Sequence, residues 1–403
     1  MALIVQKFGG TSVANLGKIK AVAQRVLSKH QQGHHVVVVL SAMAGETDRL
    51  IDLANQIQNI PAPRELDMLL ASGEQVSVAL LAMAIKKMGT DAISLTGNQV
   101  KIHTDGMHTR ARILSIDHEL IETHLDQGRV VVVAGFQGVA ASGDITTLGR
   151  GGSDTTAVAL AAALKADRCD IFTDVEGVYT TDPHICASAR KIDRISYDEM
   201  LELASLGAKV LDIRSVTIAK RHKVPVQVRS TFTDTAGTWI VEEEKAMELN
   251  PVSGVTYNRN EARITVSKLP DMPGVASRLL SPIAKAGIVV DMILQNTRDG
   301  NLTDLTFTVL KTDYQRAMGI VEKNAQEIGA AGVSGSENIC KVSIVGVGMR
   351  NHPGVAITMF DALAQEGINI QMISTSEIKI SCVIEEKYTE LAVRTLHDAF
   401  NLT

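Results

Sequence analysis

The chain has 403 residues, which is more than one hydrophobic core usually organises, so we expect two or three domains. Its 45% hydrophobic and 21% charged residues are typical of a soluble globular protein, and an aromatic content of only 3% predicts cores built from Val, Ile, Leu and Ala. The formal net charge of -5, without an extended basic face, argues against a nucleic-acid partner.

The cysteines and the amino terminus favour a reducing, cytoplasmic location. The opening MALIVQKFGG is too short for a signal peptide, and we expect no later stretch to be long enough to span a bilayer. The sequence therefore predicts no membrane partner and no metal site built from its own side chains. The cysteines lie far apart, without the close pairs of a zinc site or the density of a disulfide scaffold: Cys169, Cys186, Cys340 and Cys382.

The first part of the chain alternates short apolar runs with helical stretches. The runs ALIV, VVVVL, VVVVA and VPVQV read as buried strands, and TAVALAAALKA reads as a helix between two of them. This alternation predicts an α/β domain with a mainly parallel sheet and helices on both faces. A charged stretch that ends in proline, EEEKAMELNP, then predicts a boundary, so we assign residues 1–245 to the first domain.

The rest of the chain repeats itself. Residues 262–336 and 341–403 each have the order strand, helix, strand, strand, helix, with PGV before the first helix in both copies. This order resembles the βαββαβ plan of the ACT domain, a small ferredoxin-like module that binds amino acids. The second copy ends without a final strand, and residues 252–258 could supply it and cover an open sheet edge.

The first glycine motif follows the first strand. Lys7 of KFGGTS leaves a strand just before Gly9 and Gly10, at the edge where open α/β sheets place their ligands. Glycines at this edge let backbone N–H groups approach phosphate oxygens, but strand-to-helix turns also carry glycine for steric reasons. Both interpretations stay open from these residues alone.

A second glycine motif, TTLGRGGSDTTA, precedes a long helix. A glycine-rich turn at a helix amino terminus can bind an anion, and Arg150 adds a guanidinium that can hold a carboxylate or a phosphate with two hydrogen bonds. Alternatively, Asp154 only caps the helix and Arg150 is a solvated surface charge. Three glycines around one arginine, Gly149, Gly151 and Gly152, exceed what a helix start needs and favour a functional site.

The common nucleotide signatures are missing from this sequence. It contains no GxxxxGK[ST] and no HRD or DFG set, so a phosphate site must belong to another kinase lineage. Taken in order, KFGGTS, SAMAGET, ASGE, GFQG, TTLGRGGSDTTA, TDVEGVYTTDP and GAKVL resemble the motif series of the aspartokinases, in the amino-acid kinase superfamily. The resemblance spans the whole chain and implies a three-layer αβα kinase domain followed by two ACT domains.

The resemblance implies an ATP-dependent enzyme that phosphorylates the side-chain carboxylate of L-aspartate to 4-phospho-L-aspartate, the first step towards lysine, threonine and methionine. Lys7 would contact the transferring phosphoryl group, and Asp154 would orient Lys7. Glu74 would hold the substrate ammonium and Arg150 its carboxylate. The remaining residues expected at the substrate are Ser41, Thr47 and Ser153.

The nucleotide would arrive as ATP with Mg²⁺ bound to its phosphates. By resemblance, Lys209 of GAKVL would reach the phosphates together with Lys7 and the glycine turn, and TDVEGVYTTDP would surround adenine and ribose. Many relatives have arginine at the position of His184, so we transfer no nucleotide contact to it. The residues expected at ATP are Lys7, Gly9, Gly10, Thr173, Asp174, Tyr179, Asp182 and Lys209.

Two ACT-like repeats on a kinase imply feedback by an amino-acid effector, lysine or threonine or both. The second repeat has no acidic residue that corresponds to Asp271, so it either binds a different ligand or serves mainly in dimerisation. We expect a homo-oligomer through these repeats, and Met247 could start a shorter subunit. The residues expected at the effector are Asp271, Gly274, Val275, Ala276, Asp291, Gln295 and Asn296.

Two other functions stay open from the sequence. One is a related amino-acid kinase that acts on glutamate or a similar carboxylate. The other is a catalytically silent amino-acid sensor that keeps a kinase-like domain for oligomerisation. The intact set Lys7, Glu74, Arg150 and Asp154 argues against the loss of catalysis.

Overall fold

A computed structural model describes residues 1–208, 210–243 and 250–403, without the side chain of Asn351. Two compact units divide the chain. The first contains Met1–Tyr179 and the described residues from Lys191 to Glu243, and the second contains Thr180–Arg190 and the described residues from Asn250 to Thr403. The predicted nucleotide residue Lys209 and the candidate internal start Met247 lie outside the described residues.

The first unit is built on two β-sheets. Its strands are β1 (Leu3–Phe8), β2 (His35–Leu40), β3 (Ala92–Leu95), β4 (Ile102–Thr104), β5 (Ile113–Ile116), β6 (Val130–Ala134), β7 (Gln137–Ala140), β8 (Ile145–Thr147), β9 (Arg168–Thr173), β10 (Arg194–Ser196), β11 (Val226–Ser230) and β12 (Thr238–Val241). The central sheet has the order β10-β12-β11-β9-β1-β2-β6-β3, in which only the β11–β12 pair is antiparallel. The smaller sheet has the order β5-β4-β7-β8.

Helices cover both faces of the central sheet. They are α1 (Leu16–Gln31), α2 (Glu46–Ile57), α3 (Pro63–Leu70), α4 (Ser72–Lys87), α5 (Glu119–Asp126), α6 (Gly152–Ala163), α7 (Tyr197–Ser205) and α8 (Ile213–His222). On one face, α1 and α4 pack against alternate residues of β2 and β6, such as Val38 and Val132. Successive side chains of a strand point to opposite faces, and α6 contacts β1, β2 and β9 on the other face. The predicted three-layer αβα domain is thereby confirmed.

The expectation that no stretch is long enough to span a bilayer was wrong, because one helical stretch reaches that length. Residues Pro63–Lys87 form one 25-residue apolar stretch of helix, α3 and α4, that is long enough to cross a membrane. Half of its most apolar part is buried inside the unit, where Val78, Leu81 and Ile85 of α4 join the core under the sheet. The apolar composition of this stretch is therefore explained by burial against β-strands.

The second unit consists of the two repeats, each an antiparallel four-stranded sheet covered by two helices. Its strands are β13 (Gly254–Asn258), β14 (Glu261–Pro270), β15 (Val290–Arg298), β16 (Leu302–Leu310), β17 (Gly332–Ser336), β18 (Ile339–Val345), β19 (Met372–Thr375) and β20 (Lys379–Glu385). Its helices are α9 (Val275–Lys285), α10 (Tyr314–Ile328), α11 (Val355–Gln365) and α12 (Thr389–Ala399). The sheet orders are β15-β16-β14-β17 and β13-β18-β20-β19.

The strand that precedes the first repeat completes the sheet of the second. β13 lies antiparallel to β18, with Val255 opposite Ile344. Val255 is buried in the same core as Ile344 and Leu396, which belong to the second repeat. The strand order of this repeat is therefore assembled from two separated parts of the chain.

The segment Thr180–Arg190 lies in sequence within the first domain, residues 1–245, and packs with the second unit. The Val255 amide donates to the Thr180 carbonyl at 2.7 Å, and Thr180 Oγ1 lies 2.9 Å from His397 Nε2. Ile185 packs against the core of the second repeat. Hydrogen bonds to residues far along the chain thus hold this segment, and its own sequence does not show them.

Candidate active site

A cleft of about 580 Å³ lies at the carboxyl ends of the parallel strands of the first unit. β1 and β2 run parallel, so Lys7 near the end of β1 and Ser41 just after β2 come to the same edge of the sheet. The structure brings all the residues predicted at the substrate and the first glycine turn into this one cleft: Lys7, Gly9, Gly10, Ser41, Thr47, Glu74, Arg150, Ser153 and Asp154.

The catalytic pair predicted from the motifs is an ion pair. Lys7 Nζ lies 2.5 Å from Asp154 Oδ1, and both side chains are nearly buried. The first turn of α6 carries Asp154, but the residue that caps this helix is Gly151, and no side chain caps it. The alternative in which Asp154 is only a capping residue is therefore wrong, and its carboxylate instead fixes the position of the Lys7 ammonium.

Glu74 lines the cleft and has a buried carboxylate oxygen without a hydrogen-bond partner among the described residues. Its side chain is buried in the first turn of α4, where Oε1 accepts a hydrogen bond from the Ala42 amide at 3.0 Å. Among the described residues, Oε2 has no hydrogen-bond partner. Burial raises the pKa of Glu74 to about 7. One carboxylate oxygen of Glu74 is therefore left to interact with a cation that enters the cleft.

The second glycine turn has a conformation that requires glycine. Gly149 and Gly151 have φ of 79° and 68°, in the left-handed region. A Cβ on Gly151 would also lie 2.2 Å from Cβ of Asp212 at the start of α8. Arg150 lies between these two glycines, exposed to solvent and lining the cleft, so the turn presents its guanidinium at the mouth of the site.

The steric interpretation of the first glycine turn has direct support. A Cβ on Gly10 would lie 2.9 Å from the carbonyl oxygen of Ala42. The amide of Gly9 donates to the Phe172 carbonyl at 3.3 Å, which continues the pairing of β1 with β9. Both glycines line the cleft, and a phosphate contact for them stays a prediction.

The residues predicted at adenine and ribose fall into two groups. Thr173 ends β9, the strand beside β1, and its hydroxyl donates to Asp174 at 3.1 Å. Burial raises the pKa of Tyr179, whose hydroxyl lies 3.5 Å from Glu176. Asp182 instead belongs to the second unit, where its carboxylate accepts a hydrogen bond from Tyr257 at 3.0 Å.

The sequence missed several residues that build the walls of the cleft. Thr109, Phe136 and Thr147 line it, although we expected none of these three residues at the substrate. The carboxylate of Asp67, fully buried on α3, accepts hydrogen bonds from the Thr109 amide and the Thr147 hydroxyl. The local signals were the motifs GFQG and TTLGRGGSDTTA, which contain Phe136 and Thr147 and in which we gave these two residues no role.

Most of the predicted effector residues lie at one end of the sheet of the first repeat. Leu302 of β16 is opposite both Pro270 and Arg298, so the turn at Asp271 and the last residues of β15 share this end. Gln295 and Asn296 belong to that part of β15, and Gly274, Val275 and Ala276 open α9 directly after the turn.

Asp291 lies at the opposite end of β15 from the predicted effector turn. Its carboxylate forms an ion pair with Lys341 Nζ of the second repeat. The same Nζ lies 2.5 Å from Glu261, and the side chains of Lys341 and Glu261 are both buried. Asp291 is thus part of a charged cluster that joins the two repeats.

Comparisons with known proteins give the family. The amino acid kinase family matches residues 2–230, and ACT domains match residues 262–325 and 342–400. The chain is 59% identical over 403 residues to the aspartate kinase of Pseudomonas putida, covering all of this chain and 98% of that protein. The chain belongs to the aspartate kinase family.

Solved structures of aspartokinases show the same fold. The crystal structure of E. coli aspartokinase III in complex with aspartate and ADP (R-state) is similar, with a TM-score of 0.81, 28% identity, and coverage of 98% of this chain and 99% of that chain. The same enzyme in complex with lysine and aspartate (T-state) gives a TM-score of 0.77 at 28% identity, with 99% of both chains covered. The resemblance inferred from the motif series is confirmed, and the chain is a kinase, a phosphotransferase.

Proposed function

We propose that this aspartate kinase homologue transfers the γ-phosphoryl group of ATP to the side-chain carboxylate of L-aspartate, giving 4-phospho-L-aspartate and ADP. The observation that carries the proposal is the charge pattern of the cleft: the buried, unpartnered Oε2 of Glu74 and the guanidinium of Arg150 line the same space as the Lys7–Asp154 pair. An α-amino acid offers one ammonium and one carboxylate to match Glu74 and Arg150. The E. coli relative was solved with aspartate and ADP, which supports the same pair of ligands here.

The mechanism follows from this geometry. A carboxylate oxygen of aspartate attacks the γ-phosphorus in line with the leaving oxygen of ADP. No general base is needed, because that carboxylate is already ionised at neutral pH. Phosphoryl transfer asks the protein mainly to align two anions and to neutralise the charge that spreads over the transferring group. Lys7 supplies a cation at this point, and Asp154 holds its ammonium in place.

ATP would bring its own metal ion. Among the described residues, no group of three or more His, Cys, Asp or Glu is placed to hold one. Mg²⁺ bound to the phosphates of ATP would neutralise part of their charge. The amino terminus of α6 faces the same cleft through Ser153 and Asp154, and the positive end of its dipole favours an anion there.

The test is an acyl-phosphate assay with the purified full-length chain. Mg-ATP, L-aspartate and hydroxylamine are expected to give aspartyl hydroxamate, because hydroxylamine traps the acyl phosphate. L-glutamate at the same concentration is the matched control and tests the related amino-acid kinase. A protein that forms no aspartate-dependent hydroxamate would defeat the proposal, and a response to neither amino acid would favour the silent sensor.

We further propose that the reaction is the first step towards lysine, threonine and methionine and that lysine or threonine inhibits it through the first repeat. The E. coli relative was solved with lysine and aspartate, and the turn at Asp271 shares one sheet end with Gln295 and Asn296. A feedback effect of about 5 to 150-fold needs only about 1 to 3 kcal/mol of coupling. Asp271→Asn is expected to abolish inhibition and to keep the uninhibited rate, whereas Asp361→Asn, at an exposed site on α11, is expected to change neither. Inhibition that survives Asp271→Asn unchanged would exclude this turn.

The location and assembly stay proposals. We propose a cytoplasmic homo-oligomer that associates through the ACT repeats, because β15 and β19 are edge strands of their sheets and open edges invite pairing. Light scattering on the purified full-length chain tests it. A mass of one chain, about 43.2 kDa, at micromolar concentration would exclude the oligomer.

A further inference from the structure

Two loops from different parts of the chain form one wall of the cleft. The first carries Thr109 and ends at Ala111, and the second runs from Thr147 to the glycine turn that presents Arg150. The Ala111 amide donates to the Thr147 carbonyl at 2.9 Å. A Cβ on Gly149 would come within 3.0 Å of the Thr109 carbonyl oxygen, so the loops also touch at the glycine turn. The position of Arg150 therefore depends on how these loops are held together.

Arg214 on α8 binds both loops from behind. One terminal nitrogen, Nη1, donates to the Leu148 carbonyl at 2.5 Å, and the other, Nη2, donates to the Ala111 carbonyl at 2.8 Å. The backbone around Arg214 is fixed, because its amide donates to the capping carboxylate of Asp212 at 2.9 Å. Arg214 does not line the cleft, so it acts on the site only through the loops it holds.

Asp67 binds the same two loops with the opposite kind of group. Its buried carboxylate accepts hydrogen bonds from the Thr109 amide at 3.0 Å and from the Thr147 hydroxyl at 2.5 Å. Each loop is thus held by a donor from Arg214 and by an acceptor from Asp67, one or two residues apart. Arg214 and Asp67 together therefore fix the spacing of the two loops.

We propose that Arg214 is a positioning residue for the amino-acid substrate: together with Asp67 it fixes the loop that carries Arg150, and thereby sets the affinity for the substrate carboxylate. This inference rests on the proposed function. Arg214 lies in the segment LDIRS, to which the sequence motifs gave no role. The guanidinium of Arg214 is planar and rigid, so its two terminal nitrogens reach the two carbonyls at a fixed separation. A lysine keeps the positive charge but has only one nitrogen, so it cannot hold the two carbonyls at that separation.

Arg214→Lys tests the geometry without removing the charge. We expect the Michaelis constant for aspartate to rise roughly 10 to 100-fold, because a small displacement of a substrate-binding group has an effect of that size. The constant for ATP is expected to change less than about 3-fold, since the clamp does not hold the residues expected at adenine and ribose. The matched control is Arg221→Lys, the same change at an exposed position in the last turn of the same helix. It is expected to alter neither constant.

Hydrogen exchange gives a second readout that does not depend on activity. In Arg214→Lys the backbone amides of residues 107–111 and 147–152 are expected to exchange roughly 10-fold faster, because a charge-assisted hydrogen bond is lost from each loop. The buried strands β1 and β6 are expected to exchange as in the wild type. Arg221→Lys is expected to leave all four segments unchanged.

Four results would overturn parts of this account. Unchanged exchange in both loops, or unchanged aspartate dependence in an active Arg214→Lys enzyme, would refute the clamp. Faster exchange throughout the first unit, with a lower melting temperature and equal rises in both Michaelis constants, would reduce Arg214 to a general structural residue. A wild-type enzyme without aspartate-dependent turnover would instead overturn the proposed function and the substrate named here.

Discussion

The ionisation of Glu74 makes the affinity for the amino acid depend on pH in a defined direction. Burial raises the pKa of this carboxyl from 4.5 to about 7. The difference corresponds to ~3 kcal/mol, which is the additional free energy that ionising Glu74 costs in the empty folded protein compared with an exposed carboxyl. The sign follows from this raised pKa: the contribution of Glu74 to stability is complete below about pH 4.5 and is lost as the pH rises through about 7. A substrate ammonium beside the carboxylate would recover part of that free energy.

The same value sets the size of the effect on catalysis. With a pKa of about 7, Glu74 is mostly protonated in the free enzyme at pH 6 and mostly ionised at pH 8. Because only the carboxylate can hold an ammonium, kcat/KM for aspartate is expected to rise about 10-fold between these pH values. The kcat is expected to vary less, since a bound ammonium lowers the pKa of Glu74 in the complex.

The assay is the initial rate of ADP formation from pH 6 to pH 8 at subsaturating and saturating aspartate. Glu74→Gln keeps the shape of the side chain and removes the charge, so it is expected to lower kcat/KM and to abolish the rise with pH. Glu119→Gln, an exposed residue in the first turn of α5, is the matched control and is expected to behave as the wild type. A wild-type profile that is flat over this range, or a rise that persists in Glu74→Gln, would refute the reasoning.

Three further predictions concern other charged or titrating groups. Lys7→Ala is expected to lower kcat roughly 100 to 1000-fold or more, because it removes a preorganised cation from the transferring phosphoryl group. The rate of ADP formation measures kcat, and Lys20→Ala, at an exposed position, is the control. Near-normal turnover of Lys7→Ala would disprove the role of Lys7. Lys341→Met leaves Glu261 buried without its cation and is expected to destabilise the protein by about 3 to 5 kcal/mol in urea unfolding, most of which the added change Glu261→Gln should restore. Burial lowers the pKa of His397 below 6.5, so the folded protein favours its neutral form. The contribution of His397 to stability is therefore expected to be lost as the pH falls below about 6.5. Melting temperatures at pH 8 and pH 5.5 test this, and His397→Asn is expected to make the melting temperature depend less on pH.

The sequence predicted the parts of the site that follow from local pattern. Lys7 was found because a strand runs directly into glycines, whereas the role of Glu74 came from the resemblance of ASGE to an aspartokinase motif. The parallel sheet then brings the ends of β1 and β2 together, so neighbouring strands were enough to place Lys7 and Ser41 at one edge. The repeat with PGV was equally visible, because both copies carry it at the same point in the strand and helix order.

Contacts between distant parts of the chain could not be predicted from the sequence. The hydrogen bonds of Arg214 to Leu148 and Ala111 span 66 and 103 residues, and those of Asp67 span 42 to Thr109 and 80 to Thr147. No periodicity or motif reports such pairs, because each partner is chosen by the packing of whole helices against the sheet. The packing of the segment that begins at Thr180 could not be predicted for the same reason, since its partners Val255 and His397 lie far along the chain.

The packing of the backbone around Glu74 controls the charge of the cleft. The backbone at Ala42 can lie close to Glu74 because the neighbouring Gly73 has no side chain. A Cβ on Gly73 would lie 2.9 Å from Cβ of Ala42. This packing excludes water from Glu74, and the missing water raises its pKa to about 7. Near neutral pH the empty cleft therefore carries less negative charge than its residues suggest, so it repels an incoming dicarboxylate less. The full charge of Glu74 develops when an ammonium arrives to balance it, which favours an amino acid over a dicarboxylic acid that lacks the amino group.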